Sequence, residues 1–358
     1  MQLSILVPTN RTGPLACSRI AQACSWAGPN IEVIVRDNSG NAEKREWLGH
    51  LQHDYCTIAT VDPCEPLEQF SALLALAKGD FLYCVADDDF CFDRAMAVLP
   101  GTIARHGSDP SFVGVTGTYA IDTSKGSRIV SYQDVDSDDA AARVAGYLNF
   151  SGPNVLFYAV LRQDVLRRIS AFMRTMPFFF SFHDQIYCLL YLLSGKLIRL
   201  ERLFYLYDLG IWEDDELGQK RDADFYRAAK MDPAIGKLQW FMCALEGAAL
   251  TMNTQMFPGY TLAQREAVGS RWLAAMLRRF KDHKRLVSDS GLADKADLLC
   301  AALQESTGKL SLADMVMEVS GFIALFSNRQ AKSYFDFWNA ILLNRHPLIE
   351  NADRAVSS

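Results

Sequence analysis

The sequence predicts an α/β fold in which a mostly parallel sheet carries helices on both faces, followed by an all-helical region. Short apolar runs typical of buried strands alternate with segments of helical composition through residues 3–132. Such alternation is the pattern of a mostly parallel sheet with helices packed against it. From residue 225 onward the chain carries only long segments with helical periodicity, which predict the second region.

The strand-like runs are short, apolar and bounded by turn residues. The predicted strands are 3–7, 31–36, 56–61, 81–86, 111–121, 127–132 and 154–160, with one or two more over 196–207. The predicted helices between them are 14–26, 41–51, 66–77, 95–106, 162–173 and 183–193. Pro14 suits a first helical turn, and Lys78-Gly79 is a typical helix stop.

The sequence pattern changes from alternating strands and helices to helices alone after the last predicted strand. An acidic polar stretch at 213–216 precedes the helical segments 225–251, 262–285, 293–305, 312–326 and 331–343. We therefore expect an α/β domain over residues 1–215 and a helical domain over residues 216–358. The helical domain is expected to supply part of a binding site, an oligomer interface or a contact with a membrane surface.

Composition excludes several classes of protein. Half of the 358 residues are hydrophobic and 22% are charged, as in globular proteins. The net charge of −6 provides no basic field for nucleic acid. No apolar stretch reaches the roughly 18 residues that span a bilayer, and the first residues lack the basic region of a signal peptide. The expected location is the cytoplasm, either free or peripheral at the inner membrane face.

Polar residues follow three predicted strands at the point where each strand ends. Pro8-Thr9-Asn10-Arg11 follows the first strand, Asp37-Asn38-Ser39 the second, and Asp87-Asp88-Asp89 the fourth. In open α/β sheets, ligands bind beyond the carboxyl ends of the strands. Adjacent carboxylates repel one another, and Mg²⁺ or Mn²⁺ offsets this repulsion while also binding substrate phosphates. The three clusters therefore predict a site for a divalent cation and a diphosphate, with a solvated acidic loop as the alternative.

In this order and spacing, the clusters resemble the family 2 glycosyltransferases of the GT-A fold. The segment 4–11 looks like the first strand and nucleotide loop of that family, and 33–39 looks like its second strand, which ends in an aspartate. The segment 77–89 looks like its A-x-G-[DE]-[YF] approach to the D-x-D metal motif. The resemblance covers about residues 1–210, and it departs at 68–72, where the family commonly has R-N-x-G.

The resemblance implies transfer of a sugar from a nucleotide sugar, by default UDP-linked, to an acceptor hydroxyl with inversion, as in polysaccharide or glycoconjugate biosynthesis. The D-x-D spacing favours Asp87 and Asp89 as metal ligands, and residues i and i+2 of an extended chain point the same way. Asp37 is expected to bind the base or ribose, and Arg11 a phosphate. The alternative for Asp37 is a turn residue in Asp-Asn-Ser-Gly. The residues expected to line the nucleotide and metal site are Pro8, Thr9, Asn10, Arg11, Asp37, Asn38, Asp87 and Asp88.

Asp184 is the candidate for the general base that takes the proton of the acceptor hydroxyl. It lies where the resemblance places the catalytic acid residue, after the aromatic segment 178–182, and aromatic surroundings can raise a carboxyl pKa. The alternative is a cap of the helix 183–193. His183 is a second catalytic candidate as a base, a metal ligand or a phosphate contact, with a structural role as its alternative.

Rival interpretations remain at this stage. The basic segment 265–285 is either an amphipathic helix on an anionic membrane or an ordinary packed helix. Sugar nucleotidyl transfer uses a similar sheet but typically a glycine-rich first loop, whereas the segment 8–13 has one glycine. A non-catalytic glycan-binding or scaffold protein is the non-enzyme rival. The acceptor is a glycan, a lipid-linked glycan or a small molecule, and the sequence does not choose among them.

Overall fold

The computed structural model describes residues 2–150, 154–209, 215–282, 290–306 and 308–345. The chain forms two compact units. The sheet unit comprises Met1–Asp138, Val155–Ser170 and Ser194–Gly210, and the helical unit comprises Asp139–Asn154, Ala171–Leu193 and Ile211–Ser358. Two segments that precede residue 215 thus belong to the helical unit, and the division at residue 215 stays a prediction. No described helix is both long enough and apolar enough to cross a membrane.

Nine strands of the described chain form one mixed sheet. They are β1 Leu3–Thr9, β2 Ile31–Asp37, β3 Cys56–Thr60, β4 Phe81–Cys84, β5 Phe90–Cys91, β6 Phe112–Asp122, β7 Arg128–Val130, β8 Val160–Arg162 and β9 Lys196–Asp208. The order is β3-β2-β1-β4-β8-β6-β9-β5, with β7 beside β6. The pairs β3/β2, β2/β1, β1/β4 and β6/β9 are parallel, whereas β8 pairs antiparallel with β4 and β6.

The helices of the first part of the chain largely follow the expected segments. They are α1 Pro14–Ser25, α2 Ala42–Gly49, α3 Pro66–Leu76, α4 Asp93–Met96, α5 Leu99–His106, α6 Ala140–Leu148, α7 Gln163–Met173 and α8 His183–Ser194. The later helices are α9 Asp215–Ala228, α10 Gln239–Met252, α11 Leu262–Asp282, α12 Ala293–Ser306, α13 Leu312–Ala324 and α14 Asn328–Leu342. The α/β fold with a helical C-terminal region is therefore confirmed.

The turn before β4 explains the glycine of the segment 77–89. Gly79 donates its backbone N–H to the Ser4 hydroxyl at 2.7 Å, and Glu32 accepts from the same hydroxyl and from the Lys78 N–H. A Cβ on Gly79 would collide with the backbone of β1 at Leu3 and Ser4. Only glycine allows this close approach, which sets β4 beside β1.

The expected strand at 154–160 is wrong. Val155–Tyr158 forms one 3₁₀ turn, and the strand β8 begins after it at Val160. The backbone N–H of Leu156 donates to the Tyr132 hydroxyl at 3.2 Å rather than to a neighbouring strand. A short apolar run does not by itself distinguish a strand from a buried helical turn, and here tertiary contacts decide.

The expected single helix at 225–251 is also wrong, because the chain breaks after α9. Lys230 adopts a left-handed conformation with φ 58°. Asp232 then caps a 3₁₀ turn, Pro233–Leu238, by accepting from the Ala234 N–H at 2.9 Å. Pro233 has no N–H to continue a helix, so a new helix, α10, begins at Gln239.

The basic segment forms α11, and several of its arginines serve the packing of the helical unit. Arg265 is buried and donates to the carbonyls of Thr251 and Asn253. Arg271 donates to the Ala141 carbonyl at 3.1 Å, and the Arg279 guanidinium lies 5.2 Å from a ring centroid of Trp240. These contacts favour the packed-helix alternative over a membrane-bound face. Residues 283–285 of the segment lie outside the described chain.

Candidate functional site

The three polar clusters lie side by side at one edge of the sheet. Thr9 at the end of β1 is opposite Asp37 at the end of β2, and the Asn38 N–H donates to the Thr9 carbonyl at 3.0 Å. The chain leaves β4 next to β1, with the Val85 N–H bonded to the Leu6 carbonyl at 2.9 Å. Parallel register thus brings residues from three distant parts of the sequence to one place, as expected for a ligand site.

Asp87 lies at the centre of this edge. Its side chain is 2% exposed and pairs with the Arg11 guanidinium. The Thr9 hydroxyl donates to its other oxygen at 2.5 Å. Arg11 also reaches Asp88 at 2.5 Å, and this second pair is more open to solvent. The nucleotide loop and the aspartate run are therefore joined directly.

Lys44 belongs to the same network, although sequence reasoning did not select it. Its buried amine pairs with Asp37 at 2.8 Å and donates to the Thr9 hydroxyl at 2.6 Å. Asn41 caps α2 by accepting from the Lys44 N–H, so the lysine stands in the first turn of the helix. A cation is unfavourable at a helix N-terminus unless it has an anionic partner. The position of Lys44 in the first turn of a predicted helix was therefore the sequence feature that could have indicated an acidic partner.

The other residues expected in the nucleotide loops have varied surroundings. Asn38 is buried, and its side-chain amide donates to the Cys64 carbonyl at 3.1 Å. Pro8 lies within β1 opposite Arg36, and Asn10 is exposed. Gln69 occupies the segment where the family pattern has R-N-x-G, and it is bonded to the side chain and backbone of Arg36. It therefore tethers α3 to β2.

Asp89 faces a different strand from Asp87. Its oxygens accept from the Tyr205 hydroxyl at 2.7 Å and from the Asp208 N–H at 3.1 Å, both on β9. Burial and the charge of Asp88 raise the pKa of Asp89 to about 7, although these two hydrogen bonds act against the shift. The chain bends at 87–89 instead of staying extended. The alternation argument for pairing Asp87 with Asp89 therefore does not apply, and the metal ligands stay a prediction.

The aspartate run fits a divalent cation that a diphosphate completes. Within the described ranges, no group of three or more His, Cys, Asp or Glu side chains is arranged to hold a metal ion by itself. Cations at nucleotide sites are usually held by one or two carboxylates together with substrate phosphates, so a closed protein cage is not required. The donors here are carboxylate oxygens, which suit Mg²⁺ or Mn²⁺.

Asp184 lies in the helical unit, in the first turn of α8. Burial raises its pKa to about 6, while Asn154, the Gln185 N–H and the charge of Arg279 lower it and Asp222 raises it further. Its carboxylate accepts from the Gln185 N–H at 2.6 Å. A carboxyl pKa near 6 leaves the group charged at neutral pH and able to accept a proton.

Asp222, on α9, is a second carboxyl of this kind that sequence reasoning missed. Burial raises its pKa to about 6, with a hydrogen bond from Ser181 acting against the shift. Nothing in its local sequence marks it, because its burial comes from packing within the helical unit. It is the natural comparison for any test of Asp184.

His183 is fully buried and held on both sides. Its Nδ1 accepts from the Phe180 N–H at 3.0 Å, and its Nε2 lies 3.0 Å from Glu246 of α10. With Nδ1 as acceptor, the proton is assigned to Nε2, which donates to the carboxylate. The Tyr334 hydroxyl of α14 donates to the other oxygen of Glu246 at 3.0 Å. This geometry favours the structural alternative, in which His183 anchors the start of α8, over contact with a reacting group.

Comparison with known proteins gives a match in structure but none in sequence. No protein-family profile matches the chain, and no curated protein sequence matches it. The crystal structure of S. aureus TarS 1–349 aligns with a TM-score of 0.54 and 16% identity, over 99% of this chain and 92% of that chain.

Two ligand-bound structures of the same protein agree with this match. The complex of TarS 1–349 with UDP-GlcNAc gives a TM-score of 0.53 at 16% identity, and the complex with UDP gives 0.51 at 15%. Each alignment covers 99% of this chain and 92% of the TarS chain. At this identity the likeness shows the fold. The chain has a GT-A-like fold, as its resemblance to the family 2 glycosyltransferases predicted.

Proposed function

We propose that this protein is a metal-dependent, inverting glycosyltransferase that moves a sugar from a nucleoside diphosphate sugar, by default UDP-linked, to an acceptor hydroxyl. The observation that carries the proposal is the network of Thr9, Arg11, Asp37, Lys44 and Asp87, which lies at the carboxyl ends of β1, β2 and β4 on this fold. TarS of the same fold has been crystallised with UDP-GlcNAc and with UDP, which supports a nucleotide-sugar donor.

The sheet unit supplies the groups that hold the donor. Asp37 and Asn38 are assigned to the base and ribose, and Arg11 to a phosphate, because a guanidinium pairs well with phosphate oxygens. Thr9, Pro8 and Asn10 shape the same loop. Asp87, Asp88 or Asp89 would hold Mg²⁺ or Mn²⁺, which would supply a Lewis acid to offset the charge of the departing nucleoside diphosphate.

The general base is assigned to Asp184. Asp184 accepts the proton of the acceptor hydroxyl as that oxygen attacks the anomeric carbon, and a single displacement inverts that carbon. His183 keeps α8 in place through Glu246 and takes no proton from substrate. The sugar acceptor is a glycan, a lipid-linked glycan or a small molecule in polysaccharide or glycoconjugate synthesis.

The proposal is tested by calorimetric titration of UDP, GDP, ADP, CDP and TDP, each with Mn²⁺, with Mg²⁺ and with EDTA. We expect metal-dependent binding of one nucleotide, lost or weakened at least about tenfold in Asp89→Asn. Glu46→Gln on α2 is the matched control, since it removes an exposed carboxylate of the same unit. If the wild-type protein binds no nucleotide under any condition, the transferase proposal is wrong and a scaffold role takes its place.

A further inference from the structure

One guanidinium neutralises two of the three aspartates. Arg11 directs Nη1 to Asp87 and Nη2 to Asp88, at 2.5 Å for the second pair. These are carboxylates that the proposed function assigns to the cation. The positive charge that faces both carboxylates therefore comes from the nucleotide loop.

The arrangement puts Arg11 in competition with a metal ion for Asp87. One oxygen of Asp87 accepts from Arg11 and the other from the Thr9 hydroxyl. Thr9 is itself held by the buried Lys44. A cation that binds Asp87 must therefore replace a charge-assisted hydrogen bond, and it must also approach a guanidinium of the same sign.

Arg11 is the most exposed charged member of this network. Its side chain is 41% exposed, against 2% for Asp87 and 2% for Lys44. It lies in the loop between β1 and α1, outside regular secondary structure. A rotation of its side chain therefore breaks the two ion pairs and leaves the β1–β2–β4 core unchanged.

We propose that Arg11 is a placeholder cation. It compensates Asp87 and Asp88 until a nucleotide arrives with its metal, and its guanidinium then pairs with the diphosphate instead. This inference rests on the proposed function and deepens it, because it assigns an order of binding. The free protein binds divalent cations weakly, and metal and nucleoside diphosphate enter together, since only the diphosphate offers Arg11 a replacement anion.

The test is Mn²⁺ binding without nucleotide, followed by the electron paramagnetic resonance signal of free Mn²⁺. Arg11→Gln removes the competing charge and is expected to bind Mn²⁺ about tenfold more tightly than the wild type, equal to about 1.4 kcal/mol. Arg11→Lys keeps one charge that cannot span two carboxylates, and its affinity is expected to fall between the two. Arg45→Gln is the control, because it removes an exposed arginine of α2 in the same unit.

A second arm adds the five nucleoside diphosphates to the same titration. In the wild type the bound nucleotide is expected to raise Mn²⁺ affinity more strongly than in Arg11→Gln, where the phosphate has lost its guanidinium. Thermal unfolding with Mn²⁺ alone checks whether Arg11 competes with the metal. Mn²⁺ is expected to raise the melting temperature more in Arg11→Gln than in the wild type.

The outcomes separate this inference from the proposed function. Equal or weaker Mn²⁺ binding by Arg11→Gln, with nucleotide-dependent Mn²⁺ binding intact in the wild type, overturns the placeholder role and leaves the transferase proposal standing. Equal tightening in Arg45→Gln also overturns it, because the effect is then one of net charge. No Mn²⁺ binding by the wild type with any of the nucleotides overturns both.

Discussion

Protonation of Asp184 should set the acid limb of the activity profile. Its pKa is raised to about 6, chiefly by burial. Because this is a carboxyl with a raised pKa, the active charged form is lost as the pH falls through 6 and is retained above it. The charged fraction is about ten in eleven at pH 7 and about one in eleven at pH 5, so kcat/KM should fall about tenfold between them.

The Asp184→Asn variant keeps the shape of the side chain and removes the base. We expect kcat/KM to fall by about 10²–10⁴, the usual worth of a positioned general base. The residual activity should have no acid limb near pH 6. Nucleotide affinity should stay at the wild-type value, because the proposed donor-binding residues lie in the sheet unit. The assay is release of nucleoside diphosphate from the donor identified by calorimetry, measured from pH 5 to pH 8.

Asp222 makes the control informative. Its pKa is also raised to about 6 by burial, so the wild-type profile alone cannot assign the limb. Asp222→Asn should keep the turnover at neutral pH and an acid limb, moved to lower pH because the charge of Asp222 raises the pKa of Asp184. Full turnover by Asp184→Asn with unchanged substrate affinity would refute the assignment, and so would loss of the limb in Asp222→Asn.

Two further predictions concern stability. Lys44→Met leaves the buried carboxylate of Asp37 without its ammonium partner. It should lower the local free energy of unfolding by about 3–5 kcal/mol, measured by hydrogen exchange at the β1 and β2 amides. The double variant Lys44→Met/Asp37→Leu should recover most of this loss, and no recovery would contradict the pairing. Gly247→Ala should destabilise α10 by about 1–3 kcal/mol, because the added methyl meets the buried Trp272 ring. Gly321→Ala is its control, because the methyl added there points into open space. It should be neutral or stabilising by up to about 1 kcal/mol in urea unfolding.

The strand pattern was readable because it is local. Each of β1, β2 and β4 is a short apolar run, and the polar residues that end each run can be located without knowing its neighbours. Parallel pairing then requires the three ends to share one edge of the sheet. The contact of Thr9 with both Asp37 and Asp87 follows from this register.

The partners of these residues were not readable. Tyr205 and Asp208 bind Asp89 from 116 and 119 positions away, and Glu246 binds His183 across 63. Nothing in the local sequence of β9 or α10 predicts which residue it contacts. A hydrophobic pattern predicts that a residue is buried, but not which buried groups contact one another.

By itself, the sequence determined the α/β architecture, the helical C-terminal region and the edge of the sheet where the acidic run lies. Only the tertiary structure decided which charges compensate one another: Arg11 with Asp87 and Asp88, and Lys44 with Asp37. It also decided that Asp184 and Asp222 are both carboxyls with pKa values raised to about 6. The physical reason is that ion pairing and desolvation depend on distance and burial, which are set by contacts between residues far apart in the chain.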